Sequence, residues 1–438
     1  MDWILSDWQR KPIWREVSFH KHIQGYAAMY EAVPDSLEPG VRNALEQRGI
    51  HRLYTHQVEA FHAIRAGQNV VVSTPTASGK SLCYNLPILN AFAQDQSARA
   101  LYVFPTKALS RDQEASLRQF MLEAGLSQGA ITFDGDTPGD ARRAAKTRAG
   151  VLVTNPDMLH AGILPHHSAW ARLFTNLKFV VIDELHMYRG VFGSHLSNVI
   201  RRLKRVAAFY GSNPTFVMAS ATIGNPAEHA SKMIGMPAVC IAESGAPCGD
   251  RDIMVYNPPV VNQELGIRQS YLKAAVKLTC DLLRAEVTTL VFGQSRTGVE
   301  VMLKYLREAM KDEPVDSASV MGYRGGYLPD ERRAIEARLR SGDIKCVVAT
   351  NALELGIDIG ALDAVVCAGY PGSLAALWQR FGRAGRRQSG SLAVLVASSA
   401  PLDQFFAQTP QRLVDDGVES ARIDPNNMEV LVQHVKCA

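Results

Sequence analysis

Short apolar runs alternate with amphipathic stretches from residue 50 to about residue 236, and the same pattern resumes after residue 265. The runs are continuous and rich in β-branched residues, which is typical of strands buried on both faces of a parallel sheet. They are Val70–Ser73, Leu101–Phe104, Val151–Thr154, Phe179–Ile182 and Phe216–Ala219, then Thr289–Phe292, Cys346–Ala349, Ala364–Ala368 and Leu392–Ala397. The alternation predicts an α/β protein with two tandem domains, each a doubly wound parallel sheet.

Amphipathic stretches between these runs predict helices. They are Lys107–Ala124, Ser194–Phe209, Thr297–Lys311, Asp330–Arg340 and Leu374–Arg380. Residues 237–265 are rich in glycine and proline and predict a linker. We therefore expect one domain at 50–245 and a second at 246–400.

The two ends of the chain lie outside this pattern. Residues 1–49 hold Trp3, Trp8 and Trp14 and are expected to form an irregular, aromatic-rich extension. Its rings either pack on the main body or offer a stacking surface for nucleic acid. Residues 401–438 are expected to be helical.

Composition narrows the class of protein. The 438 residues are 47% hydrophobic and 21% charged, as in folded globular chains. The net charge of +4 permits nucleic-acid binding without indicating it. The seven cysteines include no Cys-x-x-Cys pair, which argues against a zinc site and favours a reducing compartment. No membrane span or signal peptide is evident, so we expect a cytoplasmic protein.

A phosphate-binding loop follows the first predicted strand. Thr74-Pro75-Thr76-Ala77-Ser78-Gly79-Lys80-Ser81 connects this strand to a helix, with Thr74 at the position where glycine is usual. Backbone N–H groups of such a loop surround phosphate oxygens at a helix N-terminus. We assign Thr76, Ala77, Ser78, Gly79, Lys80 and Ser81 to nucleotide binding, with Lys80 on the terminal phosphates and the Ser81 hydroxyl on Mg²⁺.

Two adjacent carboxylates follow another apolar strand. Asp183 and Glu184 come directly after Phe179–Ile182, at an edge where parallel sheets bind ligands. Nucleotide hydrolysis needs one carboxylate on Mg²⁺ and one group that orients or deprotonates water. Asp183 suits the first role and Glu184 the second. Residues 220–222 lie at the end of the next predicted strand, and their hydroxyl groups are expected to hydrogen-bond to the loop at 183–186.

The second half of the chain carries a cluster of arginines at residues 377–387. Arg383 and Arg386 are three residues apart, which predicts that they share one helical face. Such a pair can clamp a γ-phosphate as arginine fingers. Because the pair belongs to the second domain, hydrolysis would require the two domains to close on ATP.

Other polar residues are candidates because of their position, most of them just after a predicted strand and Gln57 just before a helix. Gln57 lies 17 residues before Thr74 and can read an adenine edge. In the run 350–358, Gly356 and Asp358 are assigned to the nucleotide, and Thr350 to a nucleic-acid phosphate. Further candidates for contacts with a single strand, made without reading its sequence, are Thr106, Lys107, Gly135, Thr137, Thr154, Arg324 and Gly325.

Taken together, the motifs over residues 50–400 resemble superfamily 2 nucleic-acid helicases, and Asp-Glu-Leu-His resembles the DExH group. Residues 73–87, 183–195 and 256–259 resemble the bacterial MrfA/YprA helicases and their RecQ4-like eukaryotic relatives. This resemblance implies two RecA-like domains with ATP in the cleft between them, and a 3′→5′ DNA motor associated with repair. It also implies that His186 couples the nucleotide site to Gln379 and to residues 220–222.

Members of this subfamily carry a C-terminal four-cysteine zinc domain, and the chain reaches Ala438 before any such cluster. We expect ATP and Mg²⁺ as cofactors, single-stranded or 3′-tailed DNA as the partner, and a monomer. Two other readings remain open: an RNA helicase, since the motifs contact backbone, and an ATP-gated clamp that binds nucleic acid without unwinding it.

Overall fold

The computed structural model describes residues 1–311, 313, 319–354, 360, 362–385 and 390–437. Their contacts divide the chain into two compact units. Unit I comprises residues 28–246 and 420–438, and unit II comprises residues 1–27 and 247–419. Each unit is therefore built from two separate pieces of the chain.

The strands, in chain order, are β1 (Val17–Ile23), β2 (Tyr30–Ala32), β3 (Arg52–Tyr54), β4 (Val70–Ser73), β5 (Arg99–Val103), β6 (Gly129–Thr132), β7 (Ala149–Thr154), β8 (Leu177–Ile182), β9 (Thr215–Ser220), β10 (Val239–Ile241), β11 (Arg251–Tyr256), β12 (Val260–Asn262), β13 (Ile267–Arg268), β14 (Thr289–Gly293), β15 (Val320–Tyr323), β16 (Cys346–Ala349), β17 (Ala364–Ala368) and β18 (Ser391–Val396).

The α-helices are α1 (Asp2–Gln9), α2 (Pro39–Gln47), α3 (Thr55–Arg65), α4 (Lys80–Gln94), α5 (Lys107–Glu123), α6 (Gly139–Arg148), α7 (Pro156–Met158), α8 (Ala171–Thr175), α9 (Gly190–Phe209), α10 (Pro226–Ile234), α11 (Tyr271–Arg284), α12 (Arg296–Ala309), α13 (Pro329–Ser341), α14 (Leu374–Phe381), α15 (Pro401–Gln408), α16 (Arg412–Asp415) and α17 (Met428–Val435).

Unit I contains a parallel seven-stranded sheet in the order β10-β4-β9-β8-β5-β7-β6. Alternate residues of its strands enter separate cores on the two faces: Val70 and Val72 pack in one, and Val71 packs in the other. This explains the continuous apolar runs, because both faces of each central strand are covered by helices. The predicted doubly wound sheet is confirmed in this unit.

Unit II contains a second seven-stranded sheet in the order β1-β11-β18-β17-β14-β16-β15. Its strands are parallel except β1, which pairs antiparallel with β11 at the edge. All nine strands predicted from the sequence are present within one or two residues. The five predicted helices are present as well, four of them within two residues, whereas α9 begins at Gly190, four residues before the predicted start at Ser194. The prediction of two α/β domains is thus confirmed, with an antiparallel edge strand that the apolar runs did not indicate.

Two expectations about irregular segments are wrong. Residues 1–49 are not irregular, since they contain α1, β1, β2 and α2, and residues 1–27 belong to unit II. Residues 237–265 are not simply a linker, because β10 extends the first sheet and β11 lies inside the second. In residues 237–265, strand pairing with distant segments outweighs the local glycine and proline content. In residues 1–49, β1 forms by pairing with the distant strand β11, which no local pattern reports.

Trp8 anchors the N-terminal segment in the core of unit II. Its side chain is 1% exposed and packs in the same cluster as Met254 and Leu278, whereas Trp3 is 58% exposed. We expect Trp8→Ala to destabilise the protein by about 3–5 kcal/mol, because it removes a large buried ring. Trp3→Ala is the control, with a change within about 0.5 kcal/mol. Denaturant unfolding measures both, and equal small effects would contradict the assigned packing.

The C-terminal segment returns to unit I and lies against α9. Gly190 N–H donates to the Arg422 carbonyl at 2.7 Å, and Asp424 N–H donates to the Ser194 hydroxyl at 2.9 Å. A Cβ at Gly193 would lie 2.5 Å from the Ile423 side chain and 2.1 Å from the Tyr188 carbonyl oxygen. Residue 193 must therefore be glycine for this segment to approach so closely.

Three imidazoles hold α17 on this surface. Nδ1 of His195 and Nε2 of His434 are 3.0 Å apart, and the rings of His160 and His434 are 5.3 Å apart between centroids. Arg202 donates to Nδ1 of His160 at 2.8 Å. Burial, followed by the charges of His160, His195 and Arg202, lowers the pKa of His434 to about 4. The docked helix therefore requires a neutral His434.

Unit I should lose stability as the pH falls from about 6.5 toward 4. Because the pKa of His434 is lowered on folding, its stabilising contribution is complete above about pH 6.5 and is lost toward pH 4. One such group changes the unfolding equilibrium by about tenfold per pH unit. Urea unfolding of the wild type and of His434→Gln at several pH values measures this slope. An equal slope in the variant would contradict the assignment.

Candidate functional site

The phosphate-binding loop lies between β4 and α4 in unit I. Ala77 and Gly79 adopt left-handed backbone angles, with φ of 63° and 77°, and α4 begins at Lys80. The φ of Gly79 strains any residue with a side chain, and a Cβ there would also displace the Gln57 amide, whose Nε2 would lie 2.7 Å away. Inside the loop, the hydroxyls of Thr74 and Ser78 are 2.6 Å apart. Thr74, which stands where glycine is usual, therefore contacts Ser78 through its hydroxyl.

Lys80 folds back over its own loop. Its ammonium donates to the carbonyl oxygens of Thr74 at 2.9 Å and of Pro75 at 2.8 Å. Ser81 follows as the second residue of α4 and is half-buried. The predicted order of strand, loop and helix is confirmed, and the lysine lies within the loop to which it was assigned.

Asp183 and Glu184 lie at the same sheet edge as this loop, because β4, β9 and β8 are neighbours. Asp183 is 8% exposed, accepts a hydrogen bond from the Tyr84 hydroxyl at 3.2 Å and accepts one from the Glu184 N–H at 2.8 Å. Glu184 has φ of 52°, a strained conformation for a residue with a side chain. Such strain is common at functional sites.

Burial raises the pKa of Asp183 to about 7, and the neighbouring charge of Glu184 adds to the effect. A divalent cation beside the carboxylate would relieve this cost. Carboxylate and hydroxyl oxygens, as supplied by Asp183 and Ser81, are the ligands that Mg²⁺ prefers. The donor chemistry of these residues therefore fits a magnesium nucleotide.

His186 connects the acidic loop to the end of β9. The side chain is buried, and its Nδ1 accepts a hydrogen bond from the backbone N–H of Ala221 at 3.2 Å. Burial lowers the pKa of His186, so the ring is neutral and carries its proton on Nε2. The contact with Glu184, 3.5 Å from Oε2 to Nδ1, is then not an ion pair.

The expected link to residues 220–222 is present but uses a different group. The backbone of Ala221 makes it, whereas the Ser220 hydroxyl donates to the Ala221 carbonyl at 2.7 Å. The expectation that hydroxyls would bond to the acidic loop was therefore wrong in its donor atom.

Gln57 is committed to positioning the loop. It is 2% exposed, donates to the Gly79 carbonyl at 3.1 Å and accepts from the Tyr54 N–H at 3.0 Å. The amide thus fixes the end of the phosphate-binding loop against the start of α3. The same loop contains the other residues assigned to the nucleotide in this region, Thr76, Ala77 and Ser78.

The first group of nucleic-acid candidates clusters at the carboxyl ends of β5, β7 and β6, which are neighbours in the sheet. Thr106 caps α5, Lys107 pairs with Asp136 at 2.8 Å, and the Thr154 hydroxyl donates to the Phe133 carbonyl at 2.8 Å. A Cβ at Gly135 would lie 3.4 Å from the Lys107 ammonium, and Thr137 accepts a hydrogen bond from the Asp134 N–H at 2.8 Å. These candidates therefore lie together, but Lys107 is already paired with an acid.

The second group lies in unit II, at the ends of the neighbouring strands β15 and β16. Arg324 donates to Glu300 at 2.6 Å, and Gly325 follows it. Thr350 is 9% exposed, and its N–H donates to the Tyr323 carbonyl at 3.3 Å. The structure thus places these three candidates at one edge of the second sheet.

The arginine motif begins on α14, where Gln379 is buried. The helix ends at Phe381, so Arg383 lies beyond it, and the expected shared helical face is wrong for this residue. Gly382 and Gly385 (φ of 79°) flank Arg383 and favour a turn there. Arg383 is 1% exposed and donates to the Glu354 carbonyl at 2.6 Å. Arg386, Gly356 and Asp358 lie outside the described residues.

Three residues of the site were missed in the sequence. Tyr84 lies four residues after Lys80 on α4, a helical spacing that places both on one side. His56 precedes Gln57 directly, so its position was visible, but its partners are not local. Asp136, which pairs with Lys107 and Arg111, is separated from them by more than twenty residues.

Across the described residues, every helix is too short or too polar to span a lipid bilayer. The model of the DEAD/DEAH box helicase family matches residues 54–230, and that of the helicase conserved C-terminal domain matches residues 274–388. The first match contains the loop and acidic residues, and the second contains Gln379 and Arg383.

The chain is 50% identical over 422 residues to the uncharacterized ATP-dependent helicase YprA of Bacillus subtilis. These aligned residues make up 96% of this chain and 56% of YprA. It is 38% identical to the ATP-dependent helicase HRQ1 of Saccharomyces cerevisiae, over 95% of this chain and 39% of that protein. A crystal structure of the DUF1998 helicase MrfA bound to DNA and AMPPNP matches with a TM-score of 0.95 and 48% identity, over 100% of this chain and 60% of that one.

The chain thus spans between two fifths and three fifths of the length of these relatives. The resemblance inferred from the motifs is confirmed, and so are the two RecA-like domains. The chain belongs to the DEAD/DEAH box helicases of superfamily 2.

Proposed function

We propose that this chain is the motor part of an ATP-dependent 3′→5′ DNA helicase or translocase that acts in DNA repair. The observation that carries the proposal is the convergence of Lys80, Asp183 and Glu184 at one sheet edge in unit I. Relatives described as ATP-dependent helicases and a similar structure bound to DNA and AMPPNP support it.

In the proposed reaction, the Lys80 ammonium leaves the Thr74 and Pro75 carbonyls and contacts the terminal phosphates of ATP. Glu184 orients the attacking water and accepts its proton on a carboxylate oxygen. Tyr84 holds the Asp183 carboxylate by the hydrogen bond from its hydroxyl. His186 fixes the acidic loop against the end of β9 through Ala221.

Mg²⁺, held by Asp183 and Ser81, would neutralise charge on the phosphate oxygens. We also propose that Arg383 and Arg386 of unit II contact the γ-phosphate when ATP lies in the cleft between the domains. This assignment rests on the motif; in the structure, Arg383 donates to the Glu354 carbonyl at 2.6 Å. Asp358 and Gly356 are proposed to contact the nucleotide on the same basis.

Movement along DNA requires that the grip on the strand differ between nucleotide states. We propose that the strand backbone contacts Thr106, Lys107, Gly135, Thr137 and Thr154 in unit I, and Arg324, Gly325 and Thr350 in unit II. Lys107 would then exchange Asp136 for a phosphate. Action as a monomer and a cytoplasmic location remain predictions from the sequence.

A strand-displacement assay with 3′-tailed and 5′-tailed DNA duplexes tests the proposed activity and its polarity. We expect ATP-dependent displacement of the 3′-tailed duplex only. Displacement from the 5′-tailed duplex alone would overturn the polarity. Nucleotide-dependent binding without displacement would favour the clamp, and a preference for RNA loading strands would favour an RNA motor.

A further inference from the structure

His56 links the phosphate-binding loop to the segment around Gly245 by two hydrogen bonds. The side chain is fully buried on α3. Its Nε2 is 3.0 Å from the carbonyl oxygen of Ser78, and its Nδ1 is 3.1 Å from the backbone nitrogen of Gly245. The ring therefore bridges two segments that lie far apart in sequence.

The two partners determine the protonation of the ring. The N–H of Gly245 can only donate, so Nδ1 must accept and Nε2 must carry the proton that is donated to Ser78. Burial, with a smaller contribution from the Lys80 charge, lowers the pKa of His56, which favours this neutral form. The ring of Tyr54 stacks on His56 with centroids 5.8 Å apart and fixes its plane.

Gly245 belongs to the segment through which the chain leaves unit I, since unit II resumes at Pro247. Its carbonyl accepts from the Met29 N–H at 2.8 Å. A Cβ at residue 245 would lie 2.3 Å from the Thr55 hydroxyl and 2.8 Å from the Met29 carbonyl oxygen. This segment is thus packed tightly against the start of α3, with little freedom to shift independently.

The loop at the other end of the bridge must rearrange during the proposed reaction. Lys80 occupies the carbonyls of Thr74 and Pro75, and it has to leave them to contact phosphates. Ser78 lies between these two parts of the loop and its backbone is held by His56. A shift of the Ser78 carbonyl during this exchange would act on the histidine, and through it on Gly245.

We propose that His56 is a positioning residue that transmits the state of the phosphate-binding loop to the segment entering unit II. The inference rests on the proposed ATPase and adds to it the residue that couples nucleotide occupancy to DNA. Coupling of this kind requires both hydrogen bonds, because each bond joins the ring to only one of the two segments.

Two amide variants separate the bonds. His56→Gln places a donor near the position of Nε2 and loses the acceptor for Gly245, whereas His56→Asn keeps an acceptor near Nδ1 and loses the donor for Ser78. His62→Gln is the matched control, because His62 is exposed on the same helix. ATP affinity, the ATPase rate with and without single-stranded DNA, and thermal unfolding are measured for each protein.

We expect both His56 variants to lose at least about fivefold in the ratio of DNA-stimulated to basal ATPase rate, the lower range of coupling between sites. The control should keep the wild-type ratio. A lower unfolding temperature with an unchanged ratio in both variants would show a structural role and overturn the inference. Absence of ATPase activity in the wild type would instead overturn the proposed function itself.

Discussion

Replacing Glu184 with glutamine is expected to lower ATP turnover by about 10²–10⁴-fold while ATP still binds. The amide is nearly the same size as the carboxylate, but it cannot accept the proton of the attacking water. Lys80, Ser81 and Asp183 remain in place, so the contacts proposed to hold the phosphates are kept. Steady-state turnover and equilibrium binding of a fluorescent ATP analogue measure the two quantities separately.

Glu46→Gln is the control for this variant, because Glu46 is exposed on α2, away from the acidic loop. It should leave both turnover and binding unchanged. Retained turnover in Glu184→Gln would remove the role of general base from this residue. Loss of ATP binding in the same variant would assign Glu184 to the phosphates instead of the water.

Lys80→Ala is expected to lower turnover by at least about 10²-fold, and unlike Glu184→Gln it should also weaken ATP binding. The ammonium is proposed to contact the terminal phosphates both before and during hydrolysis. Its loss also leaves the Thr74 and Pro75 carbonyls without their present donor. Turnover and nucleotide affinity, with thermal unfolding to monitor the fold, give the comparison.

Lys178→Ala provides a matched loss of positive charge. Lys178 pairs with Asp95 at the start of β8, at the opposite end of that strand from Asp183. It should leave the ATPase unchanged. Full ATP affinity in Lys80→Ala, with a folded protein, would contradict the assignment of this lysine to the phosphates.

The part of the site that the sequence predicted is local. The loop from Thr74 to Ser81 and the acidic pair each follow one apolar strand, and parallel strands bring their carboxyl ends to one edge. The parallel direction of β4 and β8 therefore places Lys80 and Asp183 at the same edge, and the strand order, with only β9 between them, brings the two close. The same rule accounts for the positions of Lys107 and Thr154, which the sequence offered only as separate candidates and which follow the neighbouring strands β5 and β7.

The parts that the sequence did not predict depend on distant pairs. The N-terminal strand β1 pairs with β11, whose residues are more than two hundred positions away, and no local pattern reports such a pairing. His56 meets Gly245 across 189 residues. The prediction for Arg383 is wrong for a different reason. Its spacing to Arg386 suggested a shared helical face, but α14 ends at Phe381, before Arg383.

The ATPase rate of this chain with and without single-stranded DNA tests the central claim most directly. If ATP hydrolysis at the Lys80 and Glu184 site is coupled to the grip on a strand, DNA must accelerate turnover, and the acceleration must vanish in Glu184→Gln. An ATPase rate that is the same with and without DNA would contradict the coupling on which the proposed motor depends.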